Sequence, residues 1–232
     1  MCQPHMNDPF KRELNAMPQV NQAHQRAVTS YWDFVAPTYL SLFRNELEGK
    51  PFDQLVIRNF AEAMGKNAIV CDAGCGPCAH ITSLLGACGL DVFGIDLSPV
   101  CIDLARQEKP SLDLRVMDAT DFQLEDSSLD GLVAYYLFHY IPKANWPNVL
   151  REFARVLKPG GKLLIVMKDG HGEGWISDPM GGPVKTYWAA CSSVELERVV
   201  ESASFTIGTA CQRSALPEEI RADRIYLLGE CT

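Results

Sequence analysis

The residues best placed to do chemistry begin at Cys71-Asp72-Ala73-Gly74-Cys75-Gly76. An apolar, β-branched run leads into Asp72, a Gly-x-Gly turn follows, and helix-forming residues come next. A strand that ends in bare glycines and feeds a helix offers backbone N–H groups to a ligand, which suits nucleotide-like molecules. Two further carboxylates, Asp96 and Asp118, close the next two apolar runs. Asp96 falls about 20 residues past the glycine turn, where an acid is expected to accept hydrogen bonds from ribose hydroxyls. Asp118, one strand further on, is placed to accept from the exocyclic amine of a base. Beyond these, His139 in Leu137-Phe138-His139-Tyr140 has an imidazole able to act as a base near neutral pH, and His171 is a second candidate.

The opening stretch satisfies two other patterns. Gly74-Cys75-Gly76-Pro77-Cys78-Ala79 fits the dinucleotide fingerprint G-x-G-x-x-A of nicotinamide oxidoreductases. That reading leaves Asp72 and Asp118 without a role and finds no second domain for hydride transfer. Cys71, Cys75 and Cys78 also have a spacing that can hold an iron–sulfur cluster. Cys71, however, is the penultimate residue of an apolar strand, so its thiol is expected in a packing layer and no metal site is expected.

The whole chain sets bounds on these readings. Its 232 residues are enough for one large α/β domain with a full core. A net charge of −8 speaks against a nucleic-acid surface, which needs a basic patch. The longest apolar run, Leu132 to Phe138, is far too short to span a membrane. Nine cysteines, an odd number set mostly in apolar stretches, read as reduced thiols in a cytoplasmic protein. Residues 1–20 are polar, punctuated by proline, and read as a flexible leader.

The elements that must position the chemistry follow from periodicity. A helical face of Val28, Tyr31, Trp32 and Val35 is expected to break at Pro37. A second helix runs from Phe52 to Met64. Strands are expected at 68–72, 91–95, 112–117, 129–134 and 162–167, with helices between them. This strict alternation predicts an α/β fold with a doubly wound, mostly parallel Rossmann-like sheet and helices on both faces. A glycine-rich stretch, 169–183, is expected to be a loop able to open and close. Strand-like residues 205–212 and 224–228 are expected to form a C-terminal antiparallel hairpin at the sheet edge.

Taken together, these motifs resemble those of class I S-adenosylmethionine-dependent methyltransferases, in the small single-domain branch that acts on small molecules. The likeness rests on Val70 to Pro77, Phe93-Gly94-Ile95-Asp96-Leu97-Ser98, Met117-Asp118-Ala119, Leu129 to Tyr135, Arg155 to Gly161 and the upstream Trp32 to Tyr39. It implies transfer of a methyl group from S-adenosylmethionine to a small-molecule acceptor by in-line displacement, leaving S-adenosylhomocysteine. It implies that Gly74, Cys75 and Gly76 pack against the methionine part and ribose, and that Asp96 and Leu97 lie at the ribose. Asp118 and Ala119 would hold the adenine edge, Asp72 and Tyr135 would face the amino-acid end, and Tyr39 would help close the pocket. Tyr31, Tyr136, His139, Lys168, His171, Trp175 and Trp188 are the expected substrate contacts, with His139 as the base. Cys78 stands where the family has a third glycine. Residues 21–65 would cap the pocket of a single domain whose core is 66–232, in a monomer or homodimer without nucleic-acid or membrane partners. The same features also fit a protein that binds S-adenosylmethionine without catalysis.

Overall fold

The apolar run Ile69-Val70-Cys71 is a strand because β-branched residues suit a pleated, fully covered position. It forms β1 (Ile69–Ala73), the middle of a sheet that decides where everything else lies. The computed structural model describes residues 21–219 and 221–232; the expected leader, 1–20, lies outside the described residues. Parallel strands β2 (Asp91–Asp96), β3 (Asp113–Val116), β4 (Leu129–Tyr135) and β5 (Leu157–Lys168) join β1, and β9 (Arg224–Cys231) and β8 (Phe205–Arg213) complete the sheet. The strand order is β3-β2-β1-β4-β5-β9-β8. β9 runs antiparallel to both β5 and β8, so the expected C-terminal hairpin is present with β8 at the edge. The order reverses between β1 and β4, and the crevice that opens beyond these strand ends is where α/β sheets bind ligands.

Helices α1 (Gln22–Phe43), α2 (Pro51–Met64), α3 (His80–Ala87), α4 (Pro99–Glu108), α5 (Trp146–Val156) and α6 (Ser193–Glu201) supply the outer layers. α5 illustrates why they pack. Its Trp146, Val149, Leu150, Phe153 and Val156 recur at helical spacing and are all buried. α4 begins as its sequence predicts: the Ser98 side chain accepts from the Cys101 N–H and Pro99 opens the helix. Among the described residues, no helix is long and apolar enough to cross a membrane.

Two expectations are corrected. α1 does not break at Pro37 but continues through it to Phe43. Pro37 lies on the exposed face, where the carbonyl it leaves without an N–H partner can meet water. The glycine-rich stretch is not a loop. It contains β6 (Glu173–Ser177), which pairs antiparallel with β7 (Lys185–Ala189) in a separate two-stranded sheet. Trp175 opposite Tyr187 supplies a cross-strand aromatic pair, with ring centroids 5.6 Å apart.

One glycine ties the sheet to the site. A Cβ on Gly94 would lie 2.6 Å from Thr82 Oγ1 and 2.8 Å from Leu114 Cδ2. Gly94→Ala is therefore expected to lower the unfolding free energy by about 1–3 kcal/mol through overpacking. Urea denaturation checks this, and an unchanged midpoint would contradict the close approach.

Candidate active site

The carboxyl ends of the five parallel strands carry a graded set of side chains. In spatial order they are Asp118 just past β3, Asp96 ending β2, Asp72 in β1, Tyr135 ending β4 and Lys168 ending β5. All five line one cavity, with about 200 Å³ open to the centres of water molecules.

At its acidic end the turn after β1 is held open by backbone geometry. Gly74 has φ +79° and Gly76 has φ +62°, values that glycine adopts without strain. The Gly74 and Cys75 N–H groups both donate to the Ile95 carbonyl, at 2.8 and 2.9 Å. The Gly76 N–H donates to Asp96 Oδ2 at 3.0 Å, and the Ser98 N–H donates to Asp96 Oδ1 at 2.9 Å. Asp72 is fully buried: Oδ2 accepts from the Thr82 N–H and hydroxyl at 2.9 and 2.6 Å. Its other oxygen, Oδ1, is a buried acceptor with no partner among the described residues. Burial outweighs these hydrogen bonds and pushes the carboxyls of Asp72 and Asp96 each up to about 6. Asp118 Oδ1 accepts from the Thr120 N–H and hydroxyl, and Oδ2 from the Gln25 amide of α1.

The other end is basic and aromatic. Lys168 Nζ sits 5.1 Å from the Tyr136 ring centroid and 4.8 Å from that of Trp188. Burial, the neighbouring Arg224 and Lys50 lower its pKa to about 8. Tyr136 has φ +65°, a left-handed conformation unusual for a bulky residue, and it turns the chain sharply out of β4. Behind it lies a buried ionic network. Glu219 pairs with Lys50 at 2.9 Å, Arg213 at 2.7 Å and Arg224 at 3.3 Å, and Arg213 also reaches Asp53 at 2.8 Å. These cations hold the Glu219 carboxyl far below the usual carboxylate range. Lys50 also pairs with Glu46 at 2.5 Å.

Residues 70–161 match the model of a family described as a methyltransferase domain. Over this stretch the chain is similar to a methyltransferase domain. An uncharacterised methyltransferase of Mycobacterium bovis is 33% identical over 97 residues, covering 42% of this chain and 38% of that protein. The chain thus matches well under half the length of that curated relative. Among solved structures, the chain resembles a Methanosarcina mazei SAM-dependent methyltransferase (TM-score 0.67, 20% identity, 76% of this chain and 96% of that one). It also resembles 1,6-didemethyltoxoflavin-N1-methyltransferase of Burkholderia thailandensis, solved with 1,6-didemethyltoxoflavin and S-adenosylhomocysteine (TM-score 0.67, 17% identity, 93% and 92%). At these identities the structures share the fold.

The cavity wall includes Tyr39, Asp72, Gly74, Cys75, Gly76, Asp96, Leu97, Asp118, Ala119 and Tyr135, the residues expected at the cofactor, together with Tyr136, Lys168 and Trp188. Cys78 is buried and fits on the same wall in place of the family's glycine. Burial pushes the thiols of Cys71, Cys75 and Cys78 well above their ordinary pKa, so they stay protonated near neutral pH.

Four expected substrate contacts do not reach the cavity. Tyr31 is buried beneath it, its hydroxyl donating to Asp178 Oδ1 at 3.0 Å. His171 is exposed, and Trp175, 46% exposed, packs outward against His24 and Tyr187. His139 is the main correction. It is fully buried, its Nδ1 lies 2.7 Å from the Ala189 carbonyl, and the Lys168 N–H donates to its Nε2 at 3.0 Å. A carbonyl on one side and an N–H on the other fix the neutral Nδ1–H tautomer, with neither nitrogen free to take a proton from a substrate. Burial pushes its pKa down to about 3.

Several lining residues lay outside the quoted motifs: Gln25, Lys50 and Thr120. Gln25 was within reach of sequence reasoning, because it precedes Val28 and Trp32 at helical spacing on one face. Lys50 was not, since a lysine between glycine and proline reads as a solvated turn.

His139 gives the site a pH signature. Its folded pKa lies below the ordinary histidine value of about 6.5, so its contribution to stability is complete above that pH and is lost as pH falls toward 3. NMR of labelled histidine should find its ring neutral, as the Nδ1–H tautomer, from about pH 8 down to about pH 5. A ring that titrates within that window would refute the assignment.

Proposed function

We propose that the protein transfers a methyl group from S-adenosylmethionine to a small-molecule acceptor. The observation that carries this reading is the orphaned, buried Oδ1 of Asp72, set in a row of three strand-end carboxylates beside the Gly74–Gly76 turn. A buried acceptor without a donor is costly, and an ammonium group entering the cavity would satisfy it. A cationic, adenosine-bearing molecule fits this wall: carboxylates for charge and ribose, bare backbone at the turn, and aromatic rings above.

Bound there, S-adenosylmethionine would supply a sulfonium-activated methyl carbon for in-line transfer to the acceptor's lone pair, with S-adenosylhomocysteine as the leaving group. Asp72 takes the amino-acid end and Gly74 to Gly76 line its approach. Each Asp96 oxygen accepts one backbone N–H and keeps a second lone pair for a ribose hydroxyl. Asp118 and Ala119 take the adenine edge, where the Gln25 amide now occupies Asp118. Tyr39, Leu97, Cys75 and Tyr135 shape the remaining wall. The chain's contribution is to hold donor and acceptor in register and exclude water. No proton passes through His139.

Residues 21–65 then act as the cap of a single domain. A small acceptor is supported by the aromatic enclosure and by the likeness to an enzyme solved with 1,6-didemethyltoxoflavin. The free thiols suit a reducing, cytoplasmic setting.

Calorimetric titration with S-adenosylhomocysteine tests the site. Asp96→Ala is expected to weaken binding by about 1–3 kcal/mol through lost charge-assisted hydrogen bonds. Equal affinity in a folded variant would sink the assignment. Formation of S-adenosylhomocysteine on adding acceptors separates an enzyme from a binding protein.

A further inference from the structure

The cavity changes sign along its length. Asp118, Asp96 and Asp72 stand over β3, β2 and β1, and Lys168 stands at the end of β5, two strands beyond β1. Neighbouring strands are about 4.8 Å apart, so the shift from carboxylate to ammonium happens within roughly 10 Å. In the network behind the basic end, every described cation is matched. Lys50 and Arg213 each touch two carboxylates, and Arg224 touches Glu219. Lys168 differs. Among the described residues its ammonium has no carboxylate or hydrogen-bond partner, only the faces of Tyr136 and Trp188. Ring faces offset only part of the cost of removing an ammonium from water.

The surroundings fix the backbone of that lysine and its two ring walls. His139 accepts the Lys168 backbone N–H on one nitrogen, donates to the Ala189 carbonyl on the other, and stacks on Trp188 with ring centroids 4.0 Å apart and planes within 8°. The imidazole thus fixes both the lysine and one of its two ring walls. Tyr136, the other wall, is fixed by its left-handed backbone and by Arg224 Nε donating to its hydroxyl at 3.3 Å. A rigid, half-buried cation between two rings is built for a planar anion.

We infer that the methyl acceptor is a small planar carboxylate, held by Lys168 between the Tyr136 and Trp188 rings, with His139 as a positioning residue. This rests on the cofactor reading above and narrows it to a substrate class. The ammonium would supply charge-assisted hydrogen bonds to the carboxylate, and the rings would cover the flat body of the molecule. The carboxylate anchors the acceptor, leaving its nucleophilic atom free to face the donor.

The test uses matched pairs that differ in charge but not in shape: 4-hydroxybenzoate with 4-hydroxybenzamide, and indole-3-acetate with indole-3-acetamide. Each is titrated calorimetrically into the full chain saturated with S-adenosylhomocysteine. At least one acid is expected to bind about 10–100-fold tighter than its amide. Lys168→Met should remove that preference and leave S-adenosylhomocysteine affinity unchanged, whereas Lys168→Arg should keep most of it. His139→Phe should weaken the acid without reversing the preference. Equal binding of acid and amide, no binding of either acid at millimolar concentration, or a preference that survives Lys168→Met would each overturn the inference. If Lys168→Met fails to fold, the wild-type pairs and Lys168→Arg decide it. Failure of S-adenosylhomocysteine itself to bind strikes the cofactor reading; the pairs are then read on the protein alone, where the same preference is expected.

Discussion

Two carboxylates that the sheet buries without neutralising, Asp72 and Asp96, govern the rest of the site. Parallel strands end with their side chains pointing into a crevice that helices cover, so an acid placed there loses its water. Thr82, Ser98 and Gly76 return some of the lost hydrogen bonding, and the turn at Gly74 exists in the form it does because those N–H groups must face inward. Gly94 is bare because Thr82 needs the space to reach Asp72. The cap helix α1 closes over the same edge, bringing Gln25 to Asp118 and Trp32 and Tyr39 to the opening. What remains unmet among the described residues is Asp72 Oδ1, a buried acceptor on a residue that lines the cavity.

The basic end follows the opposite logic. Charges there are also buried, but they are matched in a web that joins the turn before α2, α2 itself, the β8–β9 connection and β9. Breaking such a web by removing one partner leaves a bare buried charge, which costs several kcal/mol. It therefore acts as a rigid wall and not as a titrating group. Lys168 stands in front of that wall, where, among the described residues, its ammonium pairs with none of these carboxylates and meets only the rings of Tyr136 and Trp188. A single cavity with carboxylates at one end and an ammonium at the other would orient the proposed cationic donor and anionic acceptor before any specific contact forms.

How far these features were legible depends on how local their cause is. Asp72, Asp96 and Asp118 could be read because each closes an apolar run, and a strand end is a sequence-local event. The alternation of strands and helices fixed the parallel sheet for the same reason. The paired strand β7 was less visible, because Lys-Thr-Tyr-Trp-Ala shows no period-two alternation and the glycines before it read as loop. His139 was misread because its two ring nitrogens are taken by backbone groups at Lys168 and Ala189, which only the tertiary fold brings together. Pro37 was misread because nothing local reveals that its helix face is exposed. The pairing of Lys50 with Glu219 has no local signature at all.

That pairing also divides the molecule in time. The carboxylates of β1 and β2 are held by hydrogen bonds between residues that lie fairly close in the chain, Asp72 with Thr82 and Gly76 with Asp96, and the longest reach to a strand-end carboxylate there is Gln25 to Asp118, 93 positions apart. The basic half is closed by Asp53 meeting Arg213 and Tyr226, partners separated by 160 and 173 positions. Loop closure over such spans must precede any gain from the contact, and non-local contacts form late when a chain collapses. Contact separation alone thus leads us to expect the basic end to form later than the acidic one, since the wall behind Lys168 is complete only once β8 and β9 have docked.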